Sequence, residues 1–272
     1  MRKVTAVRTT VLLCIFLAAP PLSAHDTWLL PDRLAVPVVG SVQLDLTSGL
    51  RFPVSETAIK PDRIEKASCR LAGATSPIAI KSSAAHALRL AVPLPKAGIA
   101  TLWVDLGPRT LELTPAKVEE YFAEIDASPE TRQAWQKASP GRRWREAYVK
   151  HAKTFVRVGK PSGDRSWSEP VGMLLEIVPE VDPTALQTGE MLSVRVLRRG
   201  QPFAGFSLEL IHEKGGAEDR RKTDSEGRAA FKLTRTGRYL VHGTELRPTA
   251  SPSAKPGEDW ESDFTTMTFE VR

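Results

Sequence analysis

The sequence predicts a mainly β protein. It should hold two β-sandwich domains, immunoglobulin-like or transthyretin-like, joined by a short helical segment. Three observations predict this. Apolar and polar residues alternate along "SVQLDLTSGL" (residues 41–50) and again at 191–197, which is the period of strands with one buried face. Gly and Pro break these runs at short intervals, as the turns of antiparallel sheets require. Between the two β stretches, Val118, Tyr121, Phe122 and Ile125 recur at three- and four-residue spacing, which is helical.

Residues 1–24 read as a secretory signal peptide. Arg2, Lys3 and Arg8 precede the apolar run VLLCIFLAA, and Ala24 offers a small residue for cleavage. The run is shorter than the roughly 20 residues that a bilayer span takes. Cys14 follows Leu12 and Leu13 rather than small residues, which makes it a poor lipid-attachment site. The mature chain is therefore expected to begin at His25, to be periplasmic, and to keep no membrane span.

Residues 25–113 form the first expected sandwich, with strands in "SVQLDLTSGL", "HALRLAVPL" and "GIATLWVDL". The expected helical insertion covers 114–153. Thr114 is placed to cap a helix with Pro115 at its first position. A second helix is expected from Pro129 to Lys137. A third is expected from Arg142 to Lys153, because Trp144, Tyr148 and Ala152 are spaced four apart. Residues 154–272 form the second expected sandwich. A turn at Gly189 precedes an alternating strand, and Asp224, Gly227 and Gly237 separate the later ones, as in a Greek key.

Composition narrows the function. The formal charge is +6, and it falls to +3 once Arg2, Lys3 and Arg8 leave with the signal. The remaining charges are mixed along the chain, so no nucleic-acid partner is expected. Only Cys69 remains in the mature chain, so no intramolecular disulfide can form and stability must come from apolar cores. Ser193, Ser207 and Ser225 lack a nucleophile elbow. Glu146 with Glu169 or Glu176 could form a carboxylate pair, but sequence does not supply their separation. Trp260 and Phe264 in "DWESDF" are expected to cap the last sandwich core.

Six stretches carry a family resemblance: "AHDTWLLP" (24–31), "WREAYVKHAKTFVRVG" (144–159), "LEIVPEVDP" (175–183), "VLRRGQPFAG" (196–205), "TDSEGR" (223–228) and "DWESDFTTMTFEV" (259–271). In this order they resemble an exported family of unknown function that carries a NikM-like label, for nickel- or cobalt-uptake-associated periplasmic proteins. The resemblance implies an envelope protein with β domains and a link to metal transport. It implies no particular reaction.

His25 carries the main chemical expectation. A terminal histidine offers its α-amino nitrogen and its ring Nδ1 as one chelate, and another imidazole would complete three nitrogens. Such a donor set suits Cu(II) or Ni(II); Co(II) is added by the resemblance to the nickel- or cobalt-uptake family. His151 and His242 are the first candidates for the third nitrogen, and Asp26 could add an oxygen. His86 and His212 are weaker candidates. No HxH or HExxH spacing occurs, so there is no zinc-enzyme signature. The plain alternative is that His25 is only the first residue of the mature chain.

Three functions follow. The first is a non-enzymatic periplasmic metal-binding or metal-delivery protein, with a metal ion and an envelope transporter or receptor as partners. The second is an envelope module whose C-terminal sandwich binds a glycan or a protein without metal. The third is a copper oxidase using the same histidine brace.

Overall fold

Alternation along 41–50 becomes a strand with one buried face: Val42, Leu44 and Leu46 are buried, while Ser41 and Gln43 are exposed. The same rule builds most of the molecule, seen here in a computed structural model that describes residues 25–137, 143–160, 163–249 and 259–272. The expected signal peptide lies outside the described residues.

The first strands are β1 (Asp26–Pro31), β2 (Ala35–Val36), β3 (Gly40–Gly49), β4 (Thr57–Ala58), β5 (Ile64–Leu71), β6 (Ala74–Pro77), β7 (Ala79–Ser83), β8 (Leu88–Leu94) and β9 (Gly98–Leu113). Helices α1 (Pro115–Glu124) and α2 (Pro129–Gln136) follow. The chain then forms β10 (Trp144–Val158), β11 (Leu175–Pro179), β12 (Met191–Arg198), β13 (Gln201–Pro202), β14 (Ser207–His212), β15 (Gly216–Lys222), β16 (Arg228–Lys232), β17 (Gly237–Pro248) and β18 (Trp260–Val271). The turn into β16 shows the local chemistry. Asp224 accepts from the backbone N–H of Glu226 and Arg228, and Gly227 adopts φ +74°, where a Cβ would meet the Val196 carbonyl oxygen at 2.5 Å.

Among the described residues the strands form three sheets. One has the order β1-β3-β8-β7, with β4 beside β3. A nine-stranded sheet runs β15-β14-β17-β18-β10-β9-β5-β6, with β2 beside β10. The third runs β11-β12-β13, with β16 beside β12. Within the large sheet β10 pairs antiparallel with β9 and parallel with β18.

The fold is thus mainly β and sandwich-built, and its two main cores lie on opposite faces of the large sheet. Phe155 belongs to the core shared with β11, β12 and β14; its neighbour Val156 belongs to the core shared with β3 and β8. Ile99 and Ala100 divide in the same way. Side chains alternate across a strand, so one strand can serve both cores. Each fully buried Leu, Val or Phe contributes about 1.5–3 kcal/mol to these cores.

A third cluster sits under the helices. Val118, Tyr121 and Phe122 of α1 bury against Trp144, and Trp260 stacks on Trp144 with ring centroids 4.4 Å apart. Trp260 and Phe264 therefore pack beneath α1 rather than capping the C-terminal core. Pro115 and Pro129 occupy first helical turns as expected, and the Ser128 hydroxyl accepts from the Thr131 N–H.

The expected third helix is corrected: Trp144–Val158 is strand β10. The four-residue spacing of Trp144, Tyr148 and Ala152 also fits a two-residue period, since four is a multiple of two. What decides is pairing. β10 has partners on both edges, which satisfies its backbone groups as a helix would, and it buries both faces in addition.

Candidate functional site

β1 carries the start of the expected mature chain onto the large sheet. One edge pairs with β3, matching Asp26 with Gly49. The Thr266 and Thr268 hydroxyls donate to the Thr27 and Leu29 carbonyls at 2.6 and 2.7 Å. This docking sets Asp26 beside β17. The His242 ring then bridges two carboxylates, with Nδ1 3.0 Å from Asp26 Oδ1 and Nε2 3.2 Å from Glu209 Oε2. Arg220 holds the other Glu209 oxygen at 2.8 Å. Burial opposes charge on His242, but Asp26 and Glu209 outweigh it and push its pKa up to about 10. The ring is a doubly clamped imidazolium that ties β1 to β14 and β17. In that form both nitrogens donate.

His151 faces the other way. Its Nδ1 lies 2.7 Å from Asp105 Oδ1 and its Nε2 3.8 Å from Asp263 Oδ1. Burial again opposes its charge, and the two aspartates raise its pKa to about 9. Two residues along β10, Lys153 Nζ donates to Glu176 Oε1 of β11 at 2.5 Å, which marks this face as the one toward the third sheet. His242 pairs across with Thr266, which reaches β1 on the opposite face. The sheet therefore separates His151 from His242, and the two cannot ligate one ion. Among the described residues no three His, Cys, Asp or Glu side chains gather as a metal site.

What adjoins His25 is a pocket of about 520 Å³. Its walls come from several elements: Ile59, Lys60 and Arg63 around the 3₁₀ turn Pro61–Arg63, Arg109 and Leu111 of β9, Tyr121 of α1, Tyr148 and Lys150 of β10, and Phe264 of β18. The Lys150 ammonium donates to the His25 carbonyl and lies 5.1 Å from the Phe264 ring centre and 5.5 Å from that of Tyr148. Burial lowers its pKa to about 8, against the opposing charge of Asp26. Arg63 donates from Nη2 to the Gly107 carbonyl at 2.8 Å and sits over Tyr148, while its buried Nε has no hydrogen-bond partner. Arg109 meets Asp62 at 3.6 Å in an exposed pair. Among the described residues no Asp or Glu lines this pocket.

The structure thus brings His25, Asp26 and His242 into one region and leaves His151 outside it. Sequence reasoning missed Arg63, Arg109 and Lys150 as a group. They are far apart in the chain, and Lys150 reads as an ordinary charge in "YVKHAK". The weaker histidines have local partners: His86 Nδ1 lies 2.9 Å from the Glu56 carbonyl, and His212 Nε2 lies 3.0 Å from that of Thr236. Glu146 and Glu176 belong to separate clusters. Glu146 accepts from Tyr121 and Trp144, whereas Glu176 accepts from Lys153 and three backbone N–H groups.

Fold and site define a class: a β-sandwich protein with a cationic, partly aromatic pocket beside its first strand. The chain belongs to the family described as a domain of unknown function (DUF4198), whose signature matches residues 22–244. No curated protein matches the chain. Among solved structures it is similar to Escherichia coli alpha-2-macroglobulin activated by porcine elastase, at 10% identity and TM-score 0.25, covering 90% of this chain and 20% of that one. It is similar to the Escherichia coli adhesin FdeC at 11% identity and TM-score 0.24, covering 89% and 64%. For the D00-D0 domain of intimin the values are 11%, 0.22, 90% and 99%. The chain spans less than two thirds of the first two. No described helix is long and apolar enough to cross a membrane.

Proposed function

We propose that the chain is an exported, periplasmic ligand-binding module that uses the pocket beside His25. One observation carries this reading: a concavity of about 520 Å³, walled by the 3₁₀ turn, β9, α1, β10 and β18. Small-molecule sites commonly enclose about 300–1,000 Å³ and gather a few polar groups on apolar walls. Export rests on the charged start and the Ala24–His25 boundary. Mass spectrometry of envelope-purified protein should find His25 first; a chain starting at Met1 would overturn the export step. The pocket itself is tested by titrating the mature protein with N-phenyl-1-naphthylamine and its sulfonated analogue. Saturable fluorescence should disappear in Leu111→Trp, which fills the cavity. Saturation by neither probe, or no effect of Leu111→Trp, overturns the pocket reading.

A second reading keeps the metal-delivery role implied by the nickel- or cobalt-uptake resemblance, with an envelope transporter or receptor as partner. The observation in its favour is the grip of Lys150 on the His25 carbonyl, which holds residue 25 in one orientation beside Asp26. The donors for Cu(II), Ni(II) or Co(II) are then the His25 amine, its ring and the Asp26 carboxylate. His242 takes part as the group holding Asp26. Calorimetry with Cu(II) and Ni(II) on the mature protein, His25→Ala and a form with one added residue before His25 tests it. Equal affinity in all three would remove His25 as a ligand.

A further inference from the structure

We infer that the pocket beside His25 receives an amphipathic anion: an organic carboxylate, phosphate or sulfonate with an apolar or aromatic body. Its charged head would lie among Lys150, Arg63 and Arg109, and its body against Tyr148, Phe264 and Leu111. The inference rests on the pocket reading above and adds the chemistry of the ligand.

The first argument compares cations within this protein. Several buried or half-buried cations elsewhere have a carboxylate in contact, whereas half-buried Arg70 is held by the carbonyls of Ser166, Glu169 and Pro170. Lys153 has Glu176 at 2.5 Å, Arg157 has Asp182 at 3.3 Å, and Arg247 has Glu245, Glu261 and Asp263. The pocket gathers two cations of the second kind. Lys150 is buried yet meets a neutral carbonyl and two ring faces. Arg63 meets a carbonyl and one ring, with Nε unpartnered. Among the described residues neither has a carboxylate within ion-pair distance. Burying a charge is costly unless an opposite charge offsets it; Asp26, Glu124 and Glu146 act on Lys150, and Asp62 on Arg63, from beyond ion-pair distance, so an anion in the pocket lowers the cost that remains.

The second argument is the shape of the donors. Arg63 and Arg109 present planar forks that match the oxygens of carboxylate, phosphate or sulfonate, and Lys150 adds a point charge deeper in. The ring faces and Leu111 supply apolar surface for a body that a free inorganic ion would leave uncovered.

The test uses a matched pair of probes that differ by one sulfonate. The mature protein is titrated at pH 7 with 8-anilinonaphthalene-1-sulfonate and with N-phenyl-1-naphthylamine. The sulfonate should bind more tightly. Arg109→Gln and Lys150→Met should each weaken it by about tenfold, the usual scale for a charge-assisted contact, and leave the neutral probe within about twofold. Arg109 is half exposed, so Arg109→Gln keeps the test available should Lys150→Met fail to fold. If both probes bind alike and both variants leave them alike, the anion inference falls while the pocket stands. If neither probe saturates, or Leu111→Trp has no effect on either, the pocket falls and takes the inference with it.

Discussion

At the scale of single residues, this protein invests in buried charge. Lys153 and Glu176 are both almost fully buried and in contact, and Glu176 also accepts three backbone N–H groups from Val171, Gly172 and Met173. Removing one member of such a pair leaves the other charged and unpaired, which typically costs about 3–5 kcal/mol. Lys153→Met should lose about that much in urea denaturation, and Lys153→Met with Glu176→Gln should recover part of it. A double variant as unstable as the sum of the single changes would show no coupling. His242 gives a pH signature. Its pKa is raised from 6.5 to about 10, with Asp26 of β1, Glu209 of β14, Arg220 of β15 and, beyond them, Glu124 and Asp126 of the α1 end around it. A group with a raised folded pKa stabilises fully below its unfolded value and loses that contribution as pH rises through the folded one. The stability difference between the wild type and His242→Gln should therefore be largest below about pH 6.5 and shrink toward pH 10. His151 remains in both proteins, so its own titration cancels. A difference that grows with pH would show that His242 is not held as an imidazolium.

At the scale of elements, α1 and β10 account for the site. Phe122 is fully buried and meets the Trp144 ring at 5.2 Å between centroids, so it fastens α1 over the end of the sheet. Phe122→Ala should cost about 3–5 kcal/mol in chemical denaturation. A cost below about 1 kcal/mol would mean that α1 rests on other contacts. The apolar face of α1 was legible in the sequence because a helix packed on one side shows its period. β10 was not. Lys150, His151 and Lys153 are each buried, and each meets its partner on a different element: the His25 carbonyl, Asp105 and Glu176. A charge buried by a distant partner looks the same in a sequence as a charge in water.

At the scale of the molecule, the large sheet joins both cores into one unit. β9 and β10 carry residues of the two cores on adjacent positions, so neither sandwich is complete without the other half of the chain. Unfolding should be a single transition, with circular dichroism and tryptophan fluorescence coinciding. Trp28 packs beside the first sheet and Trp167 within the second core, so fluorescence reports on both. A fragment of residues 154–272 should not fold alone. It loses β9 and most of β10, exposes one edge of β18, and leaves Glu176 without Lys153. A cooperative transition in that fragment would establish the C-terminal sandwich as an independent domain.

By itself the sequence determined the class of fold, the strands around 41–47 and 191–197, the turns at Asp224 and Gly227, and the two short helices. All of these follow from local periodicity and turn chemistry, which act over a few neighbouring residues. Only the tertiary structure decided which histidines meet. Strand alternation sent His151 and His242 to opposite faces of one sheet, and the docking of β1 on β18 set Asp26 against His242. Likewise, Arg63, Arg109 and Lys150 became one cationic pocket only when the 3₁₀ turn, β9 and β10 came together. Such groupings depend on register and sheet order across long stretches of chain, and no local pattern encodes them.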